Sequence, residues 1–122
     1  MPATPEAIAM AQAAAEAAAD KLATDIVAID VSEYLVISDV FLLCTAANDR
    51  QVRAVVDAIE ERLLREGAKP IRREGEKESR WVLLDYGDVV VHIFADEARR
   101  FYEIERLYMD VPRIAFDPQA LS

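Results

Sequence analysis

Few residues of this chain could do chemistry. The chain has one histidine, His92, and one cysteine, Cys44, so a multi-histidine metal site and a Cys-x-x-Cys cluster are excluded. His92 and Asp85 could form an acid–base couple, but the hairpin that residues 81–94 predict makes them diagonal neighbours, which is far for a direct hydrogen bond. Cys44 lies in an apolar run, residues 40–44, which favours a small buried side chain over a nucleophile. We expect no cofactor.

Two further carboxylates, Asp30 and Asp39, lie near the ends of predicted strands. Together they could hold a metal ion, but capping of the adjacent turns is the favoured interpretation. The three glycines are not close together and cannot build a glycine-rich phosphate loop, and no Gly-x-Ser-x-Gly nucleophile motif is present. These residues therefore favour a protein that binds a partner over an enzyme.

The length and charge of the chain narrow the class of partner. A chain of 122 residues with a formal net charge of −9 is long enough for one domain with its own core. The negative charge argues against sequence-independent nucleic-acid binding and against an anionic membrane surface, and it suits a basic protein partner. The start of the chain lacks the pattern of a signal or transit peptide, so we expect a cytoplasmic protein.

The most informative stretch runs from Trp81 to Phe94 and predicts a β-hairpin. Gly87 and Asp88 suit a two-residue turn with positive φ at its first central position, and the flanks are rich in β-branched and aromatic residues. This turn sets a register in which Trp81 faces Phe94 and Leu83 faces His92. One face is almost purely aliphatic and should be core: Val82, Leu84, Tyr86, Val89, Val91 and Ile93. The other face is mixed: Trp81, Leu83, Asp85, Val90, His92 and Phe94.

The mixed face has two interpretations, which the hairpin alone leaves open. Aromatic side chains among polar ones are typical of protein-binding patches. Alternatively, a helix covers this face, and Asp85 and His92 are ordinary satisfied polar residues.

Hydrophobic periodicity, caps and turn residues predict the remaining elements in the order α-β-β-α-β-β-β-α. The first predicted element is a helix over 4–24, capped by Thr4, with a packing stripe of Ile8, Ala11, Ala15, Ala18 and Leu22. Strands over 25–31 and 38–45 follow, then a helix over 48–66 that ends at Gly67 and a short strand near 69–73 that completes a β-α-β crossover. The rest is a charged loop over 74–80, the hairpin, a helix over 96–109 and an irregular tail over 110–122. We expect an α/β fold with a mixed sheet of about five strands and helices mainly on one face. Such a sheet leaves a second face free, which favours the binding interpretation of the mixed hairpin face. Residues 1–113 would form a single domain and residues 114–122 a flexible tail.

The hairpin, followed by Arg99-x-x-Tyr102-x-x-Glu105-x-Leu107, resembles the signature of the ribosomal silencing factor family, also called the Iojap-like family. Asp39-x-Phe41 before a helix that opens with Arg50-Gln51-Val52 is also similar to that family, as is Glu74-Gly75 before Trp81. The similarity runs from about residue 6 to residue 113. One departure is Tyr108, where the family usually has tryptophan, and we assign no interface role to that position.

The resemblance implies a fold related to nucleotidyltransferases without their catalytic motif, and a function without chemistry. Family members bind a large-subunit ribosomal protein, the one numbered fourteen, and block joining of the small subunit in stationary phase or starvation. They also form homodimers. The resemblance and the mixed hairpin face together predict a partner-binding site with Trp81 and Phe94 as anchors, Leu83 and Val90 as apolar surround, Asp85, His92 and Glu105 as polar specificity residues, and Tyr86 and Tyr102 as further contacts.

Two other functions remain open. A nucleotidyltransferase-like enzyme could use Asp30, Asp39 or Asp85 with magnesium, and magnesium-dependent nucleotide binding would reveal it. A structural dimer could use the hairpin face only for self-association, in which case a change at Trp81 would alter self-association and leave ribosome binding intact.

Overall fold

The computed structural model describes residues 3–33, 35, 38–96 and 113–114. Two helices and six strands follow one another in these residues. They are α1 (Pro5–Asp20), β1 (Thr24–Asp30), β2 (Val40–Ala46), α2 (Asp49–Arg65), β3 (Arg72–Glu74), β4 (Trp81–Asp85), β5 (Val89–Ala95) and β6 (Arg113–Ile114).

One mixed sheet contains all of these strands in the order β3-β4-β5-β2-β1-β6. Its centre is the parallel pair of β2 and β5, which are aligned from Val40 opposite Val89 to Ala46 opposite Ala95. The other pairs are antiparallel. Because β5 lies between β2 and β4, every residue of β5 is buried. The expected mixed α/β sheet is confirmed, with six strands rather than five.

The hairpin of β4 and β5 has the predicted register. Trp81 lies opposite Phe94, Leu83 opposite His92 and Asp85 opposite Val90. Gly87 has a φ of +87°, a conformation that glycine adopts without the steric cost borne by other residues.

Helix α2 is amphipathic and capped at both ends. The side chain of Asn48 accepts a hydrogen bond from the Gln51 backbone N–H at 2.9 Å, and Gly67 follows the helix with a φ of +86°. The buried stripe of the helix is Val52, Val55, Val56, Ile59 and Leu63. Leu64 lies beside this stripe and is 53% exposed, because Leu63 occupies the buried position at that turn.

Helix α1 packs against α2 through alanines. Thr4 caps it by accepting a hydrogen bond from the Ala7 N–H at 3.1 Å, and the small side chains allow close approach of the two helices. The helix ends at Asp20, four residues before the predicted end. Leu22 has a φ of +65° and is 78% exposed, so the prediction that it packs on the helix stripe is wrong. A residue in the left-handed region cannot continue a right-handed helix.

Two other sequence-based expectations differ from the structure. The short strand after α2 is β3, at residues 72–74 rather than 69–73, and it lies at the sheet edge with two strands between it and β2. The predicted irregular tail is wrong at Arg113 and Ile114, which pair with β1 as strand β6. The helix expected over 96–109 lies outside the described residues beyond Asp96, and the division into a domain and a tail stays a prediction. No helix among the described residues has the length and apolar character to span a membrane.

Candidate partner-binding site

The two faces of the hairpin have different surroundings. The aliphatic face belongs to the core under α1 and α2, as predicted; its members there are Val82, Leu84, Tyr86, Val89, Val91 and Ile93. The opposite face of the sheet, the second face, carries the mixed hairpin residues. Because β2 pairs with β5 in parallel, Phe41 lies beside Val90 and Leu43 beside His92, so both residues extend the second face.

Exposure falls across the second face from β4 to β5. Trp81, Leu83 and Asp85 on β4 are partly exposed. Their neighbours on β5 are buried: Val90 is 6% exposed, His92 3% and Phe94 0%. The expectation that the whole hairpin face is free is therefore wrong for the β5 half. The physical reason is that β5 is an interior strand, with aromatic and aliphatic side chains from both neighbouring strands around it.

Phe94 in particular is not an accessible anchor. It packs in a small apolar cluster on the second face with Ile29, Val31 and Leu43, and Trp81 lies against the edge of this cluster. The ring of Trp81 stacks on Phe94, with centroids 5.1 Å apart and planes 26° apart. Phe94 therefore supports the partly exposed indole from beneath, an arrangement favourable for two aromatic rings.

His92 contacts both Trp81 and Phe41 on the second face. The Trp81 Nε1–H donates a hydrogen bond to His92 Nδ1 at 3.0 Å, and the ring of Phe41 lies 4.8 Å from the imidazole. Because Nδ1 accepts, the neutral ring carries its proton on Nε2. Among the described residues, no acceptor lies within hydrogen-bonding distance of Nε2. Burial lowers the pKa of His92 to about 4, so the ring is neutral near pH 7.

Asp85 has partners of its own and forms no couple with His92. One carboxylate oxygen accepts a hydrogen bond from the Gly87 N–H at 2.8 Å, and the other lies 3.6 Å from Arg72 Nη2. Asp85 therefore stabilises the hairpin turn. This geometry gives His92 no general-acid or general-base partner at this carboxylate.

The remaining predicted site residues do not join this group in the described structure. Tyr86 lies on the aliphatic face, where its hydroxyl is buried with no hydrogen-bond partner among the described residues. Burial, with a smaller contribution from Glu60, raises the pKa of Tyr86 to about 12. Tyr86 therefore cannot share a contact surface with Trp81 without rearrangement. Tyr102 and Glu105 lie outside the described residues.

The carboxylates considered for a metal have structural partners. Asp30 accepts hydrogen bonds from the Ser32 hydroxyl at 2.6 Å and from the Ala3 N–H at 2.9 Å. Burial raises the pKa of Asp30, but these hydrogen bonds outweigh it and the net pKa is lowered. Asp39 accepts from the Thr4 N–H at 3.0 Å. The capping interpretation of Asp30 is confirmed, and both residues also tie the start of α1 to the sheet. The described part of the chain contains no group of three or more potential metal ligands.

Sequence reasoning missed Phe41 as a neighbour of the site. Its position depends on the parallel pairing of β2 with β5, which joins residues far apart in the chain. The only signal in the sequence was its place in the Asp39-x-Phe41 pattern, which carried no information about its neighbours.

Comparison with known proteins gives a consistent family. The family model described as "Ribosomal silencing factor during starvation" matches residues 4–122. Ribosomal silencing factor RsfS of Bacillus subtilis is 40% identical over 104 residues, which cover 85% of this chain and 88% of that protein. The chloroplastic protein Iojap of Zea mays is 34% identical over 119 residues, which cover 93% of this chain and 50% of the maize protein.

Two solved structures are also similar. A crystal structure from Bacillus halodurans has a TM-score of 0.78 at 32% identity and covers 93% of this chain and 100% of its own. A crystal structure from Chromobacterium violaceum has a TM-score of 0.81 at 30% identity and covers 89% of this chain and 90% of its own.

Proposed function

The chain belongs to the ribosomal silencing factor family, which has a regulatory role at the ribosome. On this basis we propose the following mechanism for the silencing of translation. It binds the large ribosomal subunit through a basic ribosomal protein, the one numbered fourteen, and sterically blocks joining of the small subunit. This action represses translation in stationary phase or starvation and takes place in the cytoplasm, with no chemical step. The protein also forms a homodimer when it is off the ribosome.

The charge of the chain supports a protein contact rather than an RNA contact. A net charge of −9 repels ribosomal RNA but attracts a basic ribosomal protein, and complementary charge speeds encounter between the two. The interaction should therefore weaken as the salt concentration rises, mainly through slower association.

The observation that carries the proposal is the position of Trp81. Its indole is partly exposed on the second face, stacks on a fully buried Phe94 and lies next to the partly exposed Leu83. A large aromatic ring on a rigid apolar support is the usual centre of a binding hot spot. Phe41 and Asp85 are partly exposed on the same face and would contact the partner around the indole.

Co-sedimentation tests this proposal directly. Purified large subunits are pelleted with wild-type protein, with Trp81→Ala or with Leu64→Ala, and small subunits are then added to measure joining. Leu64 is a matched control because it is an exposed apolar residue on α2, away from the second face. We expect wild type and Leu64→Ala to bind and to reduce joining. Trp81→Ala should lose about 2–4 kcal/mol of binding free energy, the range of a hot-spot residue.

The outcomes separate the parts of the proposal. Failure of wild type to pellet with large subunits would refute the ribosomal role assigned here. Normal binding by a folded Trp81→Ala protein would leave the role intact and refute the site. A change in self-association alone, measured by analytical ultracentrifugation, would identify the second face as a dimer interface.

A further inference from the structure

We infer that His92 is a positioning residue for Trp81. It holds the N–H edge of the indole toward the interior of this chain, so that the ribosomal partner meets an entirely apolar edge. The inference rests on the proposed function for its partner and on the hydrogen bond between the two side chains for its geometry. His92 is itself buried and would not touch the partner.

Stacking and hydrogen bonding fix different properties of the indole. The stacked Phe94 ring sets the plane of Trp81, but a half-turn about the Cβ–Cγ bond would keep the indole in the same plane and still leave it against Phe94. The Nε1–H···Nδ1 hydrogen bond removes this ambiguity because only one orientation brings the indole N–H to His92. In that orientation the single polar group of the indole faces inward, and the edge that faces outward is hydrocarbon.

The chemistry of residue 92 supports a role for its acceptor nitrogen. Packing alone would be served by phenylalanine, since the imidazole lies between the rings of Phe41 and Trp81 in an apolar cluster. Histidine brings a cost instead, because its Nε2–H is buried and finds no acceptor among the described residues. What histidine adds over phenylalanine is Nδ1, and Nδ1 is the atom that binds Trp81.

Nuclear magnetic resonance can detect the positioning bond in the free protein. The chain has one tryptophan and one histidine, so the indole N–H gives a single signal without assignment ambiguity. With ¹⁵N labelling, a scalar coupling through the hydrogen bond between Trp81 Nε1 and His92 Nδ1 should be observed near pH 7. An unprotected indole N–H that exchanges freely with water, with no coupling to His92, would overturn the inference.

Three variants then connect the bond to binding. His92→Phe keeps the ring but removes the acceptor, whereas His92→Asn keeps an acceptor at the position of Nδ1 but removes the ring. Trp81→Phe removes the donor. His92→Phe should weaken binding to large subunits about three- to tenfold, the fold-change that corresponds to one lost hydrogen bond. His92→Asn should bind within about twofold of wild type, since an amide oxygen can accept from the indole. Thermal denaturation of each variant establishes that it is folded.

A double-mutant cycle decides whether His92 acts through Trp81. In the Trp81→Phe background, His92→Phe should have no effect on binding, because the donor is already gone. An equal loss in both backgrounds would overturn the inference and assign His92 a general packing role. If wild type fails to bind large subunits, the proposed function falls. The coupling in the free protein then still decides whether His92 positions Trp81.

Discussion

Acidification below neutral pH should destabilise the fold mainly through His92. Burial lowers the pKa of this residue to about 4 in the folded protein, whereas an unfolded chain has the ordinary value of about 6.5. As the pH falls, the unfolded chain therefore takes up a proton before the folded protein does. The contribution of His92 to stability is complete above pH 6.5 and is lost between about pH 6.5 and pH 4.

The magnitude follows from the difference between the two pKa values. A difference of about 2.5 between the two pKa values corresponds to about 3.4 kcal/mol once the pH is below both of them, and to about 2 kcal/mol at pH 5. This is a substantial part of the stability of a domain, which is about 5–15 kcal/mol. Protonation would also replace the acceptor at Nδ1 with a donor and so break the bond from Trp81.

Urea denaturation at several pH values between about 8 and 5 measures this effect, with wild type and His92→Phe compared at each pH. The variant lacks the titrating group, so its stability should fall by about 2 kcal/mol less than that of wild type over this range. Groups common to both proteins, such as the Asp30 and Glu16 carboxylates with their lowered pKa values, cancel in the comparison. Parallel stability curves for the two proteins would refute the reasoning.

Three further substitutions test local features of the fold: a tight backbone contact, a buried hydroxyl and a helix cap. Gly75→Ala should destabilise the fold by at least about 1 kcal/mol more than Gly67→Ala in urea denaturation, since both have positive φ but only a Cβ on Gly75 would collide with the Trp81 carbonyl oxygen. Equal costs would contradict the collision. Tyr86→Phe should leave the free energy of unfolding unchanged or raise it, because the buried hydroxyl has no partner among the described residues; a loss above about 1 kcal/mol would show that the hydroxyl is hydrogen-bonded. Asn48→Ala should cost about 1 kcal/mol through loss of the α2 cap, while Asn48→Asp keeps an acceptor and serves as control.

Local signals in the sequence predicted the elements well. The Gly87-Asp88 turn sets the register of β4 against β5 residue by residue, since a two-residue turn permits few alternatives. Asn48 and Gly67 delimit α2 for the same kind of reason, because a cap acts on backbone groups within the next turn. The end of α1 carried no such signal: Leu22 adopts a positive φ without the glycine that usually marks one.

The surroundings of the site were harder to predict because they depend on pairings between distant residues. Alternation along β5 placed His92 and Phe94 on the mixed face, but it could not show that β2 would lie beside them with Phe41 and Leu43. Those neighbours turn a polar residue that is commonly exposed into a buried one and give Phe94 a supporting rather than a contacting position. Trp81 lies on β4, at the outer side of this cluster, and stays partly exposed.

The central position of the β2–β5 pair also has a consequence for the rate at which the chain folds. Strands β1 and β2, and strands β4 and β5, pair with near neighbours in sequence and can form as local hairpins. Joining them aligns Val40 with Val89, which closes a loop of about 50 residues at an entropic cost that the later contacts must recover. Folding should therefore be limited by this closure rather than by either hairpin. Unfolding should begin with the separation of β2 from β5, the two strands that carry Phe41 and His92.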